Sequence, residues 1–223
     1  MRERVDRLGN RVWQPCREAG LPAVLILDEE VLMDLGKKLV GEKTYLSQLT
    51  PEHASLGYRW HNDMETTLLA CSPGFRSPGS EAAMRETIES FIKRNGHPFW
   101  IVESGVDEPV GSCALIDVNP IGRRAMLAAL IGEKDRWSKG VGTDALRLLL
   151  DYGFNILNLN SIKLIVHESN QRAVRCYEKL GFQITGRKRE AQILGKRIED
   201  ILLMDILASE FESPVVIPTI DGA

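Results

Sequence analysis

Gly140, Gly142 and Ala145 spell G-x-G-x-x-A in "RWSKGVGTDALRLLLDYGF", residues 136–154, ahead of a long amphipathic run. Glycines in such a place let the backbone turn tightly and come close to a ligand. The first-turn N–H groups of the following helix lack intrahelical partners, and the helix dipole adds positive potential there. Together they make an anion site, and the pattern is one used to grip dinucleotides. Arg136 and Lys139 stand beside the glycines as cations. Asp144 suits the dipole but would repel a phosphate, so it is expected to point away. The plain alternative is a glycine-eased helix start with no ligand.

A dinucleotide-binding βαβ unit accounts for part of this pattern. A strand precedes the glycines, and Glu168 lies 23 residues beyond Ala145, near the spacing at which an acid meets the ribose. Two facts oppose it. The seven residues "EKDRWSK" separate Gly132 from Gly140, where that motif runs from strand to glycine almost directly, and only 83 residues follow Gly140. The Walker pattern G-x-x-x-x-G-K-[ST] is absent.

The elements that must position this loop can be read from periodicity and stop signals. Residues 1–36 form an N-terminal extension, in which "GLPAVLILDEEVLMDLG" holds a short strand and a helix. "KKLVGEKTYLSQLT" alternates and reads as one strand ending near Leu49. Thr50 as N-cap and Pro51 at the first position open a helix that runs to about Trp60 and stops at "HND". A second helix starts at Ser80, buries Ala83, Ile88, Phe91 and Ile92, and stops at Gly96. Three strands follow in an antiparallel meander, "HPFWIVES", "PVGSCALIDVN" and "RRAMLAALIGE". After the glycine loop come a helix over about 141–157, the apolar strand "SIKLIVHE", and a helix capped by Ser169 or Asn170 and closed by Gly181. Two long strands joined near "LGK" complete the order β-α-α-β-β-β-α-β-α-β-β. Residues 211–223 read as a flexible C-terminal tail.

The segment "HESNQRAVRCYEKLGF", 167–182, decides between the readings of the loop. With "IGEKDRWSKGVGTDAL" it resembles the GNAT superfamily of N-acetyltransferases over roughly residues 38–207. The first stretch is similar to that family's acetyl-CoA signature Q/R-x-x-G-x-G/A. The second is similar to its N-x-x-A-x-x-x-Y-E-K-x-G-F helix at Asn170, Ala173, Tyr177, Glu178, Lys179, Gly181 and Phe182. Trp137 occupies the Q/R slot, and with "YRWHND" at 58–63 it resembles the branch that includes ribosomal-protein N-terminal acetyltransferases.

The resemblance implies an α/β (α+β) fold with a mixed, mostly antiparallel central sheet, helices on both faces and splayed central strands, as an acetyltransferase domain over 37–210. It implies an acetyl-CoA-dependent N-acetyltransferase that moves an acetyl group directly to a primary amine, either a protein N-terminus or a small molecule. Acetyl-CoA is then the cosubstrate, with no metal. The loop Trp137, Ser138, Lys139, Gly140, Val141, Gly142 and Thr143 would cradle the pyrophosphate through backbone N–H groups. A backbone N–H near Leu130 would hold the carbonyl oxygen, and Asn170 would cap its helix and touch the cofactor. Tyr177, a phenol neutral near pH 7, would protonate the leaving thiolate. Glu133 is the candidate general base, with His61, Asp63, Glu168 and a water chain as competitors. Trp60 and Asn62 would line the acceptor side. The alternative is a non-catalytic acyl-CoA-binding or regulatory module on the same fold.

Composition agrees with a soluble globular protein of one domain, or one domain plus an appendage, and excludes little else. The chain has 223 residues, is 43% hydrophobic and carries a formal net charge of −3, so no basic footprint points to nucleic acid. Cys16, Cys71, Cys113 and Cys176 form no CxxC, and His53, His61, His97 and His167 no H-x-x-x-H, so reduced cysteines and no metal site are expected. No apolar run approaches a membrane span and the N-terminus has no signal-peptide core, which sets the cytoplasm as the expectation, with no membrane partner. Homodimer formation, an extended acceptor pocket and a role outside the chemistry are all open for the N-terminal extension.

Overall fold

The chain divides into two units, residues 1–34 and 35–223. The computed structural model describes residues 2–5, 11–14, 36–68, 70–71 and 79–222. In the first unit β1 (Arg2–Val5) and β2 (Arg11–Gln14) pair antiparallel. The strand and helix expected within 20–36 lie outside the described residues.

The second unit runs β3 (Leu39–Val40), β4 (Thr44–Gln48), a 3₁₀ turn at Pro51–His53, α1 (Ala54–His61), α2 (Met64–Thr67), α3 (Glu81–Lys93), β5 (His97–Glu103), β6 (Glu108–Asn119) and β7 (Arg124–Ile131). It continues with α4 (Val141–Asp151), β8 (Ser161–His167), α5 (Gln171–Lys179), β9 (Gln183–Leu194), β10 (Arg197–Leu207) and α6 (Val216–Asp221). The eight strands of this unit lie in the order β3-β4-β5-β6-β7-β8-β10-β9. Every pairing is antiparallel except β7 with β8. That parallel ladder covers only Arg124–Met126 against Ser161–Lys163, after which the two strands part. The expected fold class holds, splayed centre included.

Strand alternation builds a covered face on each side of the sheet. On β5, Phe99 and Ile101 join the core under α4, and the Phe99 ring meets Tyr152 edge-on at 5.3 Å. Trp100 points the other way, edge-on to Trp60 of α1 at 5.8 Å. Gly57 lets α1 approach: a Cβ there would lie 3.3 Å from Met84 and 3.5 Å from Trp100. Of the face expected for α3 only Ile88 is buried; Phe91 is half-buried, and Ala83 and Ile92 are exposed. The Ser80 cap is as expected, accepting from the Ala83 N–H at 3.1 Å. Thr50 makes no side-chain cap bond, and the turn it opens is 3₁₀ before it becomes α1.

Two elements differ from expectation because distant carboxylates reshape them. The single strand expected through 37–49 is broken into β3 and β4 by a turn, closed by Gly41 N–H to Thr44 C=O (2.8 Å) and held by Asp144. The expected flexible tail is seated as far as α6. Asp151, wholly buried at the end of α4, accepts from Ser213 Oγ (2.6 Å) and from the Val215 and Val216 N–H groups (both 2.9 Å). It also takes Asn155 Nδ2 (2.8 Å), beside a π turn over Tyr152–Ile156 where the helix was expected to stay regular. Asp151→Ala leaves those donors buried without an acceptor, and is expected to lower the unfolding free energy by about 3 kcal/mol in urea titration.

Candidate active site

The connection from β7 to α4 is built for close approach. Ile131 leads through Gly132 and Glu133 into a 3₁₀ turn at Lys134–Arg136, then to Trp137, Ser138 at φ 63° and Gly140 at φ 86°. The left-handed backbone at Gly140 disfavours any residue with a Cβ. The first intrahelical bond of α4 runs from Asp144 N–H to Gly140 C=O (3.0 Å). The N–H groups of Val141, Gly142 and Thr143 stand ahead of it at the positive end of the helix.

Asp144 does turn away from these N–H groups. Its carboxylate accepts from the backbone N–H of Glu42 (3.3 Å), Lys43 (3.0 Å) and Thr44 (2.9 Å) and from Thr44 Oγ1 (2.8 Å). A Cβ on Gly41 would lie 2.6 Å from Asp144 Oδ2, so glycine is what admits the carboxylate. The same turn sends Lys43 Nζ to the Lys139 carbonyl (2.9 Å), a cation at the loop that sequence reading missed. Nothing local signals it, since the two residues are 96 apart in the chain. Arg136, expected as a loop cation, is instead paired with Glu103 (2.6 Å) and Asp135.

Trp137 is fixed by its side chain. Its indole N–H donates to the Ile131 carbonyl (2.8 Å), and the Arg172 guanidinium of α5 stacks 3.7 Å from the ring centroid. Arg172 thus brings a guanidinium to the loop although Trp137 fills the Q/R slot.

Register decides which backbone N–H groups near Leu130 stand open. Gly132 N–H donates to the Val110 carbonyl (2.9 Å). Successive residues direct their backbone groups to opposite sides of a strand. With Leu130 opposite Ser112 and Ala128 opposite Ala114, the even-numbered residues of β7 bond β6. Leu130 N–H therefore faces β6, and Leu127, Ala129 and Ile131 turn towards the side β8 has left. The open donors are Ala129 and Ile131, flanking the expected position. Ala128 and Ala129 are exposed in mid-sheet, leaving room along this edge.

On α5, Asn170 Oδ1 caps the helix by accepting from Ala173 N–H (3.2 Å). One face of α5 carries Ala173, Cys176 and Tyr177 against the core. Tyr177 is half-buried and edge-on to Phe182 (5.8 Å). Burial raises its phenol above the ordinary tyrosine range, with the Cys176 and Cys71 thiols adding to the effect, so it stays a proton donor. Cys176 Sγ lies 3.2 Å from Thr143 Oγ1, tying α5 to the head of α4, and burial raises this thiol too. That suits packing and not nucleophilic chemistry.

The acceptor-side residues act on the protein itself. Trp60 is buried, its indole lying where a Cβ on Gly132 would stand 2.0 Å away, and its N–H donates to Glu133 Oε1 (2.9 Å). Arg59 binds the same oxygen. Glu133, the expected base, thus has one carboxylate oxygen committed to fastening α1 to the connection after β7. Asn62, expected on the acceptor side, exchanges two hydrogen bonds with Gly79 (3.1 and 3.2 Å), tying together residues 17 apart in the chain. Asp63 caps α2 through Thr66 N–H (3.1 Å) and pairs with Lys134 (2.7 Å), whose hydrogen bond holds the carboxyl below its usual range. Glu168 is paired with Arg187, and burial pushes His61 down to about 4. Among the described residues no group of three or more His, Cys, Asp or Glu gathers to hold a metal, and no helix is long and apolar enough to cross a membrane.

Comparison with known proteins agrees with this geometry. The acetyltransferase (GNAT) domain family matches residues 43–183. An uncharacterised N-acetyltransferase, p20 of Bacillus licheniformis, is 26% identical over 174 residues, 78% of this chain and 97% of the relative. Spermidine N(1)-acetyltransferase of Escherichia coli K12 is 32% identical over 104 residues, 47% of this chain, and the match spans about half (55%) of that enzyme. Among solved structures, spermidine N-acetyltransferase of Vibrio cholerae in complex with CoA and spermine superposes with a TM-score of 0.68 at 27% identity, covering 75% of this chain and 96% of that one. These relatives bear the names of spermidine and unassigned N-acetyltransferases, so the expected likeness to the ribosomal-protein branch is set aside. Gly140→Ala forces a left-handed Cβ to within 3.1 Å of Lys43 Nζ. It is expected to weaken acetyl-CoA binding about tenfold by calorimetry while the fold melts cooperatively.

Proposed function

The chain belongs to the GNAT acetyltransferase family and is an acetyl-CoA-dependent N-acetyltransferase, and we propose that its acceptor is a primary amine of a small polycation of the spermidine class. The cofactor side is supported by one coincidence above all. The first-turn N–H groups of a helix adjoin a strand edge opened by its neighbour, and a half-buried tyrosine stands on the helix that follows that neighbour. The acceptor class is supported by the relatives whose names carry spermidine and by the structure bound to spermine. A non-catalytic module on this fold is set aside by the same relatives.

Acetyl-CoA supplies the acetyl group as a thioester. Val141, Gly142 and Thr143, with the backbone of Trp137–Gly140, would receive the pyrophosphate, backed by the α4 dipole and the Lys43 and Arg172 cations. The edge of β7 would pair with the amide-bearing arm as an added strand, and the Ala129 or Ile131 N–H would donate to the carbonyl oxygen. As the amine nitrogen bonds the carbonyl carbon and the carbon–sulfur bond breaks, Tyr177 gives its proton to the sulfur, and the proton shed by nitrogen passes to water.

In a panel assay with acetyl-CoA, spermidine and spermine are expected to be acetylated and an alanine-initiated peptide is not; the reverse ranking would replace this acceptor class. Tyr177→Phe should lower kcat about a hundredfold with acetyl-CoA affinity within about twofold. A general acid works while protonated and fails above its pKa, and burial raises this one. The wild-type kcat should therefore not decline with a pKa below about 10; an earlier alkaline fall lost in Tyr177→Phe would contradict the assignment.

A further inference from the structure

We propose that residues 63–68 and 70–71 roof the acceptor side, and that Lys134 is the positioning residue that sets this roof against the acetyl end of the site. The inference rests on the acetyltransferase reading and adds to it a residue that touches neither substrate.

Two anchors define the path. At one end the Lys134 ammonium binds Asp63 (2.7 Å) and Glu65 (3.0 Å) of the α2 region. At the other, Gln192 Nε2 donates to the Cys71 carbonyl (2.9 Å). Lys134 lies just past the C-terminal end of β7, and Gln192 lies on β9 opposite Glu199 of β10. On β10, Glu199 is beyond Ile201, which pairs with the last residue of β8, His167. Both anchors are therefore at the end of the sheet where β7 and β8 finish. Since the strand order is β7-β8-β10-β9, a chain tied to β7 at residues 63–65 and to β9 at residue 71 must cross the ends of β8 and β10. That crossing passes the open mouth of the splay. The proximity of Cys71 to Tyr177 agrees with the path.

The neighbouring residue makes the arrangement directional. Glu133 holds α1 through Arg59 and Trp60, and Lys134 holds α2 through Asp63 and Glu65. Two adjacent residues of opposite charge thus fasten both acceptor-side helices to the connection that continues into the phosphate loop. A single exposed pair contributes little. Here one ammonium is shared by two carboxylates, and Asp63 is also held by its capping bond to Thr66 N–H. Lys134 should therefore set where the roof sits and not whether the domain folds.

The test uses the full chain and the amine turned over fastest in the panel. Lys134→Met should raise the KM for that amine about fivefold while kcat, the KM for acetyl-CoA and the melting temperature stay within about twofold or a degree or two. Lys134→Arg should restore the amine KM, and Lys134→Glu combined with Glu65→Lys should recover part of it. Gln192→Ala, which releases the other anchor, should shift the amine KM in the same direction. An unchanged amine KM in Lys134→Met would overturn the proposal, as would equal rises in both KM values. Those outcomes leave the acetyltransferase reading standing; absence of transfer to every amine by the unsubstituted chain would overturn both.

Discussion

The carboxylate of Asp144 is the contact on which the site depends. An acid in the first turn of a helix is favoured by the dipole, yet the same position would repel a bound phosphate. The chain resolves the conflict by turning the acid to a β-turn that offers four donors and has a glycine where a Cβ would collide. The carboxylate is taken up by those donors, the head of α4 keeps its free N–H groups, and the turn it grips delivers Lys43 to the loop. A charge that would oppose the ligand becomes the fastening that shapes its cradle.

The second constraint is the early end of the β7–β8 ladder. Parallel strands that part after three paired residues leave backbone groups without partners in mid-sheet, which a folded protein rarely tolerates unless something else satisfies them. The small residues Ala128 and Ala129 leave that edge approachable. The indole of Trp137 covers one of its carbonyls, that of Ile131. Helices α4 and α5 both begin at this end of the sheet, so dipoles, open edge and phenol converge without any one of them being unusual alone.

Much of this was legible in the sequence. The glycine loop, the Ser80 and Asn170 caps, the meander and the two long final strands all follow from local periodicity and stop signals, which act over a few residues. What escaped was set by partners far along the chain. Leu130 faces β6 because of a hydrogen-bond parity fixed at Val110, and Glu133 is held by a helix over seventy residues earlier. Asn62 finds Gly79, and the C-terminal segment finds the buried Asp151. A side chain that could line a pocket and one that staples a loop look alike until the partner is known. Tyr177 was named from its resemblance, and its burial supplies the physical reason it can hold a proton.

Amide-resolved hydrogen exchange with and without acetyl-CoA tests the central claim most directly. The account predicts that acetyl-CoA slows exchange at Ser138–Thr143 and at Ala129 and Ile131, while the Thr44 amide, already bonded to Asp144, changes little. Unchanged exchange at the loop and the open edge, with protection elsewhere, would contradict it.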